Sequence, residues 1–212
     1  MSRFDCVIWD WNGTLIDDAR VGCEAVNDMM DELCRPRIEM SDYYHYMRDG
    51  MEHYYDYLFY PDEAPFDKLV VMFSKYYDIR IKNAALHDGA KEVLSALSDM
   101  GIVQAIVSSS HKDKVRRDAA AFGIDRYFDE ILGADDLLIG SKTERAGQYL
   151  ERKGIAPERT LVVGDMTHDK DTAVGIGADY VVIPNGHQTK ELLISKSIKT
   201  VSDIKDIAEY VK

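Results

Sequence analysis

The sequence predicts an α/β fold, a parallel sheet with helices on its faces, interrupted by a helical insertion. Three observations carry that prediction. Short apolar, β-rich runs recur along the chain, and each is followed by glycine, aspartate or serine and then by an amphipathic helical pattern. Glycines stand where the helical patterns end. One long segment near the N-terminus carries helical patterns with no strand between them. Alternating strand and helix is the signature of βαβ units, in which the strands are buried on both faces.

The first run, Phe4 to Trp9, ends at Asp10 and the turn Trp11, Asn12, Gly13, Thr14. Helical patterns then cover Ala19 to Leu33, Asp42 to Leu58 and Phe66 to Ile79, and no convincing parallel strand lies between Asp17 and about Leu86. This stretch reads as an insertion, giving a core of residues 1–16 and 87–212 and a helical insert of residues 17–86. Nine of the 13 tyrosines fall between Tyr43 and Tyr77. That clustering favours aromatic packing within a small helical bundle over a substrate-lining role; Tyr54 and Tyr57 are the positions chosen to tell the two apart. After the insert, strands are expected at Ile102–Val107, Phe128–Leu132, Thr160–Val163 and Tyr180–Ile183. Helices are expected at Gly89–Met100, His111–Phe122, Lys142–Lys153 and Asp169–Ile176, with Gly101, Gly123 and Gly154 closing three of them.

At 212 residues the chain exceeds a typical domain and falls short of two, as a core with an insertion would. With 46% hydrophobic and 30% charged residues it can fill a core. A net charge of −12 repels a long polyanion, so no nucleic acid partner is expected. A small phosphorylated substrate stays allowed, because a bound cation or a local lysine reverses the sign of one pocket. Cys6, Cys23 and Cys34 show no C-x-x-C spacing, which fits a reducing cytosol. No apolar leader and no run of about 18 apolar residues is present, so neither signal peptide nor membrane span is expected. A cytoplasmic monomer or homodimer is the expectation.

In parallel sheets, binding sites form at the carboxyl ends of the strands. Asp10 stands at the first such end, where an aspartate serves as nucleophile, metal ligand or the start of an ordinary loop. Ser108, in IVSSSHKD, follows the second strand and reads equally as an anion cradle or as a helix N-cap. Lys142 opens a helix, where a cation opposes the helix dipole, which raises the case for a functional lysine. The surrounding GSKT is not a nucleotide P-loop, since Ser141 stands where that pattern needs glycine. After the fourth strand, GDMTHD carries Asp165 and Asp169 four residues apart. Two carboxylates on one face call for a cation, and a hard divalent ion suits oxygen donors. His168 reads as a turn residue, because imidazole suits Mg²⁺ less well than oxygen.

These signals stand in one order, DWNGT, Ser108, Lys142, then GDMTHD, and in that order the chain resembles the haloacid dehalogenase superfamily over essentially its whole length. The insert looks like that family's C1 helical cap, and the ending VVIPNGHQTKELL resembles phosphoglycolate-phosphatase-like members. The resemblance implies a Rossmann-like core and a Mg²⁺-dependent phosphatase acting on a small phosphorylated metabolite. Asp10 would be the nucleophile that becomes an aspartyl phosphate. Mg²⁺ would be held by the Asp10 carboxylate, the Asn12 backbone carbonyl and Asp165, with Asp169 in support. Ser108 and the Ser109 backbone would bind the phosphoryl group, and Lys142 would neutralise charge around it. A cation and a lysine make chemical sense here, because an anionic nucleophile must approach an anionic phosphoryl group.

The chain departs from the family at Asn12, where its phosphatases usually carry the aspartate that protonates the leaving oxygen. An amide cannot transfer that proton, and losing a general acid costs about 10²–10⁴ in rate. Three outcomes are open: a slow phosphatase relying on good leaving groups or on another proton donor such as His168 or a cap tyrosine, a phosphonatase using a cap lysine such as Lys68, Lys75 or Lys82, or a non-catalytic phospholigand-binding protein. Dehalogenation is disfavoured, because the family's dehalogenases work without metal and the acidic pair is retained here.

Overall fold

The computed structural model describes residues 2–59, 64–135, 141–184 and 186–212, with the side chains of Met51 and Glu52 excepted. Tyr60 of the insert and Asn185 of the ending lie outside the described residues.

Five parallel strands form the core sheet: β1 (Cys6–Trp9), β4 (Val103–His111), β5 (Glu130–Ala134), β6 (Thr160–Gly164) and β7 (Asp179–Val182), in the order β5-β4-β1-β6-β7. β1 is central, with Trp9 level with Ile106 of β4 and Val163 of β6. The chain builds outward from β1 on one side and then crosses to build on the other. The switch point therefore lies at the carboxyl end of β1, where a crevice opens in sheets of this kind.

Alternate residues of the strands serve the two faces. Val7, Trp9, Ile106, Leu161 and Val163 pack on one side with α5 (Ala90–Asp99), α6 (Lys112–Ala121) and α10 (Ile207–Tyr210). Cys6, Ile8, Ala105, Val107 and Val162 pack on the other with α7 (Lys142–Lys153) and α8 (Thr167–Ile176). Burial on both faces is why these runs lack polar alternation.

Between β2 (Ile16–Asp17) and β3 (Ala85–Leu86), a two-stranded antiparallel pair that the sequence patterns did not reveal, lie α1 (Ala19–Glu32), α2 (Met40–Tyr46), α3 (Met51–Leu58) and α4 (Phe66–Arg80). These helices form a cap over the sheet. α1 and α4 match the expected spans closely, but the single helix expected over Asp42–Leu58 is two. Gly50, at φ 90°, breaks it, since that backbone conformation cannot continue a right-handed helix. The cap has its own core, in which Val26, Met29 and Met30 of α1 meet Tyr43, Tyr54, Leu58 and Met72. Full burial of each aliphatic side chain contributes about 1.5–3 kcal/mol. Arg80 grips Asp28 with two hydrogen bonds, at 2.5 and 2.6 Å, tying α4 to α1.

β4 also runs four residues past its expected end at Val107, through an irregularity in its pairing with β5. α6 starts at Lys112, with His111 as its N-cap. Ser108 is therefore a strand residue and not a helix cap. α9 (Lys190–Ser195) follows β7. Among the described residues, no helix is long and apolar enough to cross a membrane.

Candidate active site

Asp10 directly follows β1, and its N–H donates to the Val163 carbonyl at 2.8 Å, which carries the sheet's pairing one residue past the strand. Only 5% exposed, it faces a cavity of about 570 Å³ between sheet and cap. Its Oδ1 accepts from Lys142 Nζ at 2.5 Å, and its Oδ2 from the Thr14 hydroxyl at 3.3 Å. Lys142, the first residue of α7, is equally buried and also donates to Asp169 Oδ1. The cation at a helix N-terminus is explained by those two carboxylates. Burial works against its charge, yet Asp10 and Asp169 hold its pKa above the ordinary lysine value.

Asp169 has a second task. Its Oδ2 accepts the N–H groups of Asp165 and Met166 at 3.1 and 3.0 Å, closing the turn that starts α8. Against burial, His168, Lys142 and the Met166 N–H hold Asp169 at about 2. His168 Nε2 lies 3.4 Å from Asp169 Oδ1, so Asp10, His168 and Asp169 bring ligand atoms within 4.8 Å of one another. Asp165 sits alongside: Thr14 Oγ1, within reach of Asp10, is also 3.4 Å from Asp165 Oδ1, and the His187 N–H donates to Asp165 Oδ2 at 2.5 Å. Gly13 makes room for it. A Cβ there would lie 2.2 Å from Asp165 Oδ2, and the residue holds φ +72°.

Burial pushes Asp10 up from the ordinary carboxylate value, despite Lys142. Burial likewise pushes Asp165 up to about 8, with His187 opposing and Asp10 and Asp169 adding to the rise. Three buried carboxylates thus share one lysine, with His168 beside Asp169 and His187 beside Asp165, and a further cation would help keep Asp10 and Asp165 ionised. The oxygen donors gathered here are the carboxylates of Asp10, Asp165 and Asp169 with the Thr14 hydroxyl, and the His168 imidazole stands beside them; a set dominated by carboxylate fits a hard divalent ion such as Mg²⁺.

Asn12 is fully committed. Its Nδ2 donates to Asp18 Oδ2 at 2.7 Å and lies 2.6 Å from the Tyr77 hydroxyl, while its Oδ1 accepts from the Ser110 hydroxyl at 2.7 Å. Asp18 is fully buried and gathers four partners: Asn12, the Gly13 N–H, the Tyr77 hydroxyl and His187 Nε2. Burial opposes its charge, but His187, Tyr77 and Asn12 hold its pKa below the ordinary value. Asp18, with Asp165, holds His187 protonated up to about 9 against the cost of burial. His187 Nδ1 in turn lies 2.8 Å from the Tyr43 hydroxyl. Tyr43 and Tyr77 belong to the cap, and Gln188 adds a further link by accepting from the Thr167 N–H and donating to the Met47 carbonyl.

The structure therefore brings together Asp10, Asn12, Lys142, Asp165 and Asp169. Ser108 is buried behind them, its hydroxyl accepting from the Ser110 N–H at 3.0 Å, while Ser109 and Ser110 line the cavity. Asp18, His187, Tyr43 and Tyr77 were not singled out by the sequence patterns; the doubled acid Asp17-Asp18, just past the nucleophile turn, was the available signal. The insert's tyrosines divide their roles. Tyr54 is buried in the cap core and Tyr57 is 43% exposed, whereas Tyr43, Tyr55 and Tyr77 line the cavity.

Comparison with known proteins agrees with this geometry. The model of the haloacid dehalogenase-like hydrolase family matches residues 7–183. The tyrosine-protein kinase PtkA of Mycobacterium tuberculosis is 28% identical over 205 residues, covering 96% of this chain and 70% of that protein. A phosphoglycolate phosphatase of Haemophilus influenzae is 32% identical over 127 residues, 59% of this chain and 57% of that one. The fold is shared with the crystal structure of a predicted phosphoglycolate phosphatase from Haemophilus somnus, at a TM-score of 0.82, 23% identity and full coverage of both chains. It is shared too with a haloacid dehalogenase-like hydrolase from Streptococcus pneumoniae, at a TM-score of 0.84, 20% identity and 99% coverage of both. With the family model spanning the core from β1 through β7, the cap and the strand-end residues together, the chain belongs to the haloacid dehalogenase-like hydrolases.

Proposed function

We propose that this protein is a Mg²⁺-dependent phosphatase of a small phosphorylated compound, working through an aspartyl phosphate on Asp10. The observation that carries the reading is Asp10 itself, a carboxylate lining the cavity whose Oδ1 is held by Lys142 and whose Oδ2 accepts from the Thr14 hydroxyl. A group so placed is aimed, and its near neighbours are chosen to receive an anion. Lys142 offsets the charge of the arriving phosphoryl group and favours the ionised form of Asp10 against its burial. Ser109, with Ser108 buried behind it, would hold the phosphoryl group, in a cavity that β4 lines with Ser109, Ser110 and His111. Asp10, the Asn12 carbonyl and Asp165 would hold the Mg²⁺, with Asp169 supporting through Lys142 and the α8 turn. Bound there, the ion supplies charge neutralisation between nucleophile and phosphoryl group. Relatives named as a kinase and as phosphatases both move phosphoryl groups, which supports phosphoryl chemistry in this chain.

Asn12 has no proton to give, so turnover is expected to be slow on esters whose leaving oxygen needs one. The phosphonatase alternative loses support, because Lys68, Lys75 and Lys82 are exposed and none lines the cavity. The test is phosphate release from a panel of phosphomonoesters, with Mg²⁺ and with chelator, using Asp10→Asn as blank. Release that needs both Mg²⁺ and Asp10 is expected; release indifferent to either would overturn the reading, and none at all would favour a binding protein.

A further inference from the structure

We infer that the substrate is an aryl phosphate carrying no second anionic group: the cavity between sheet and cap is built for an aromatic leaving group that departs as a phenolate. The inference rests on the phosphatase reading above and adds the class of ester.

The first argument is the acid that is missing. Asn12 stands two residues past Asp10, where the family's phosphatases usually carry the acid, and its amide is bound by Asp18, Tyr77 and Ser110. Nothing in that arrangement lets the side chain swing away for another donor to take its place. Phenols ionise near pH 10, whereas aliphatic alcohols are far weaker acids. A phenolate leaves without assistance, and an alkoxide does not.

The second argument is the wall. The cavity that Asp10 lines is also lined by Trp11 and Val115 from the core and by Tyr55, Phe66, Val70 and Phe73 from the cap. Phe66 is 52% exposed and lines the cavity, its ring set edge-on to Tyr55 with centroids 5.5 Å apart, so that part of a large apolar surface is left open on the cavity side. Aromatic rings on several sides offer edge and face contacts to another ring, of about 0.5–1.5 kcal/mol each beyond area burial.

The third argument is charge. The cavity is also lined by Asp49, Asp118 and Asp171, and Lys114, the lysine among its described lining residues, is held by Asp78 at 2.8 Å. A substrate with a second phosphate or a carboxylate would meet those acids with no unengaged lysine to receive it.

The steps balance. A carboxylate oxygen of Asp10 bonds to phosphorus as the P–O(aryl) bond breaks, and the electron pair leaves on the phenolate oxygen, which takes a proton from solvent. Water then bonds to phosphorus, the P–O(Asp10) bond breaks, the carboxylate is restored, and a proton of that water returns to solvent.

The experiment measures kcat/KM with Mg²⁺ for phenyl phosphate, glycerol 2-phosphate and 2-phosphoglycolate, with Asp10→Asn subtracted, in the native protein and in Phe66→Ala and Phe73→Ala. Phenyl phosphate is expected to exceed glycerol 2-phosphate by about 10²-fold or more, the lower end of what a general acid contributes, and 2-phosphoglycolate to be poorest. Either phenylalanine variant is expected to raise KM for phenyl phosphate at least threefold while leaving that for glycerol 2-phosphate within twofold. Phe66, being half exposed, keeps the test open if Phe73→Ala does not fold. Asp10-dependent release that is equal or better with either aliphatic ester would overturn the inference and leave the phosphatase standing. Equal effects of the phenylalanine variants on both esters would also overturn it. No Asp10-dependent release from any ester would overturn both.

Discussion

The Asn12 amide donates to Asp18 Oδ2 at 2.7 Å, so the carboxylate that the family's phosphatases usually carry at position 12 has a counterpart six residues on. It is turned away from acid–base work by its partners. Asp18 is saturated by Asn12, Gly13, Tyr77 and His187 and serves to join the nucleophile turn to the cap.

That pairing makes a prediction about exchange. Asn12→Asp alone sets two carboxylates against each other and is expected to cost about 1–3 kcal/mol, the range for a lost buried hydrogen bond. Asp18→Asn alone removes the partner of the His187 cation and should cost at least as much. The double variant sets one amide against one carboxylate again while His187 still lacks its partner, so its loss should fall short of the sum of the two single losses, read as a double-mutant cycle in urea. Strictly additive losses would show that the two side chains do not interact. The same double variant puts an ionisable group at position 12. Its turnover of glycerol 2-phosphate is expected to rise, and no rise would remove the missing acid as the cause of slow turnover.

Gly13 and Asp165 are in closest approach where a Cβ would stand 2.2 Å from Asp165 Oδ2 at φ +72°. Gly13→Ala is expected to lower stability by about 1–2 kcal/mol from the left-handed backbone alone. Displacement of Asp165 should weaken Mg²⁺ dependence as well, seen as a higher metal concentration at half activity. An unchanged metal titration would show that Asp165 lies outside the metal site.

The tyrosines of the cap should separate by burial. Tyr54, 1% exposed, fills the cap core, and Tyr54→Ala is expected to cost about 3–5 kcal/mol, as buried aromatic truncations do. Tyr57 lies on the surface with its hydroxyl on Asp49, so Tyr57→Ala should stay within about 1 kcal/mol. Thermal melts decide it. Equal losses would contradict the placement of Tyr54 in the core.

Burial pushes the thiol of Cys6 up to about 12 and that of Cys23 up to about 11. A thiolate-selective reagent at pH 8.5 should modify the exposed Cys34 alone in the native protein and all three cysteines in guanidinium. Mass spectrometry after brief labelling counts them. Because both buried thiols are raised in the fold, the stability they contribute is fully present below about pH 9 and is lost as pH climbs through about 11 to 12. Native labelling of Cys6 would mean that β1 opens readily.

Much of this was legible in the chain. The central strands β1 and β6 were readable because they are buried on both faces, so that their sequences CVIW and TLVVG are almost wholly apolar. α1 and α7 were readable because their apolar residues recur at helical spacing. The errors have local causes that propensity does not reveal: Gly50 splits one helix, and β4 runs on to His111, which moves Ser108 from a helix cap into a strand.

The sequence by itself determined the α/β class, the cap and the order of the chemistry, with Asp10, Lys142, Asp165 and Asp169 each at or just beyond a strand end. Those are short-range signals, each set by its own strand, turn and helix start. Only the tertiary structure decided that Asn12 and Asp18 share a network with Tyr77, His187 and Tyr43, and that aromatic side chains of the cap close over Asp10. Tyr43 and His187 are 144 residues apart in the chain. No spacing rule reaches that far, and their meeting depends on how the cap packs upon the sheet.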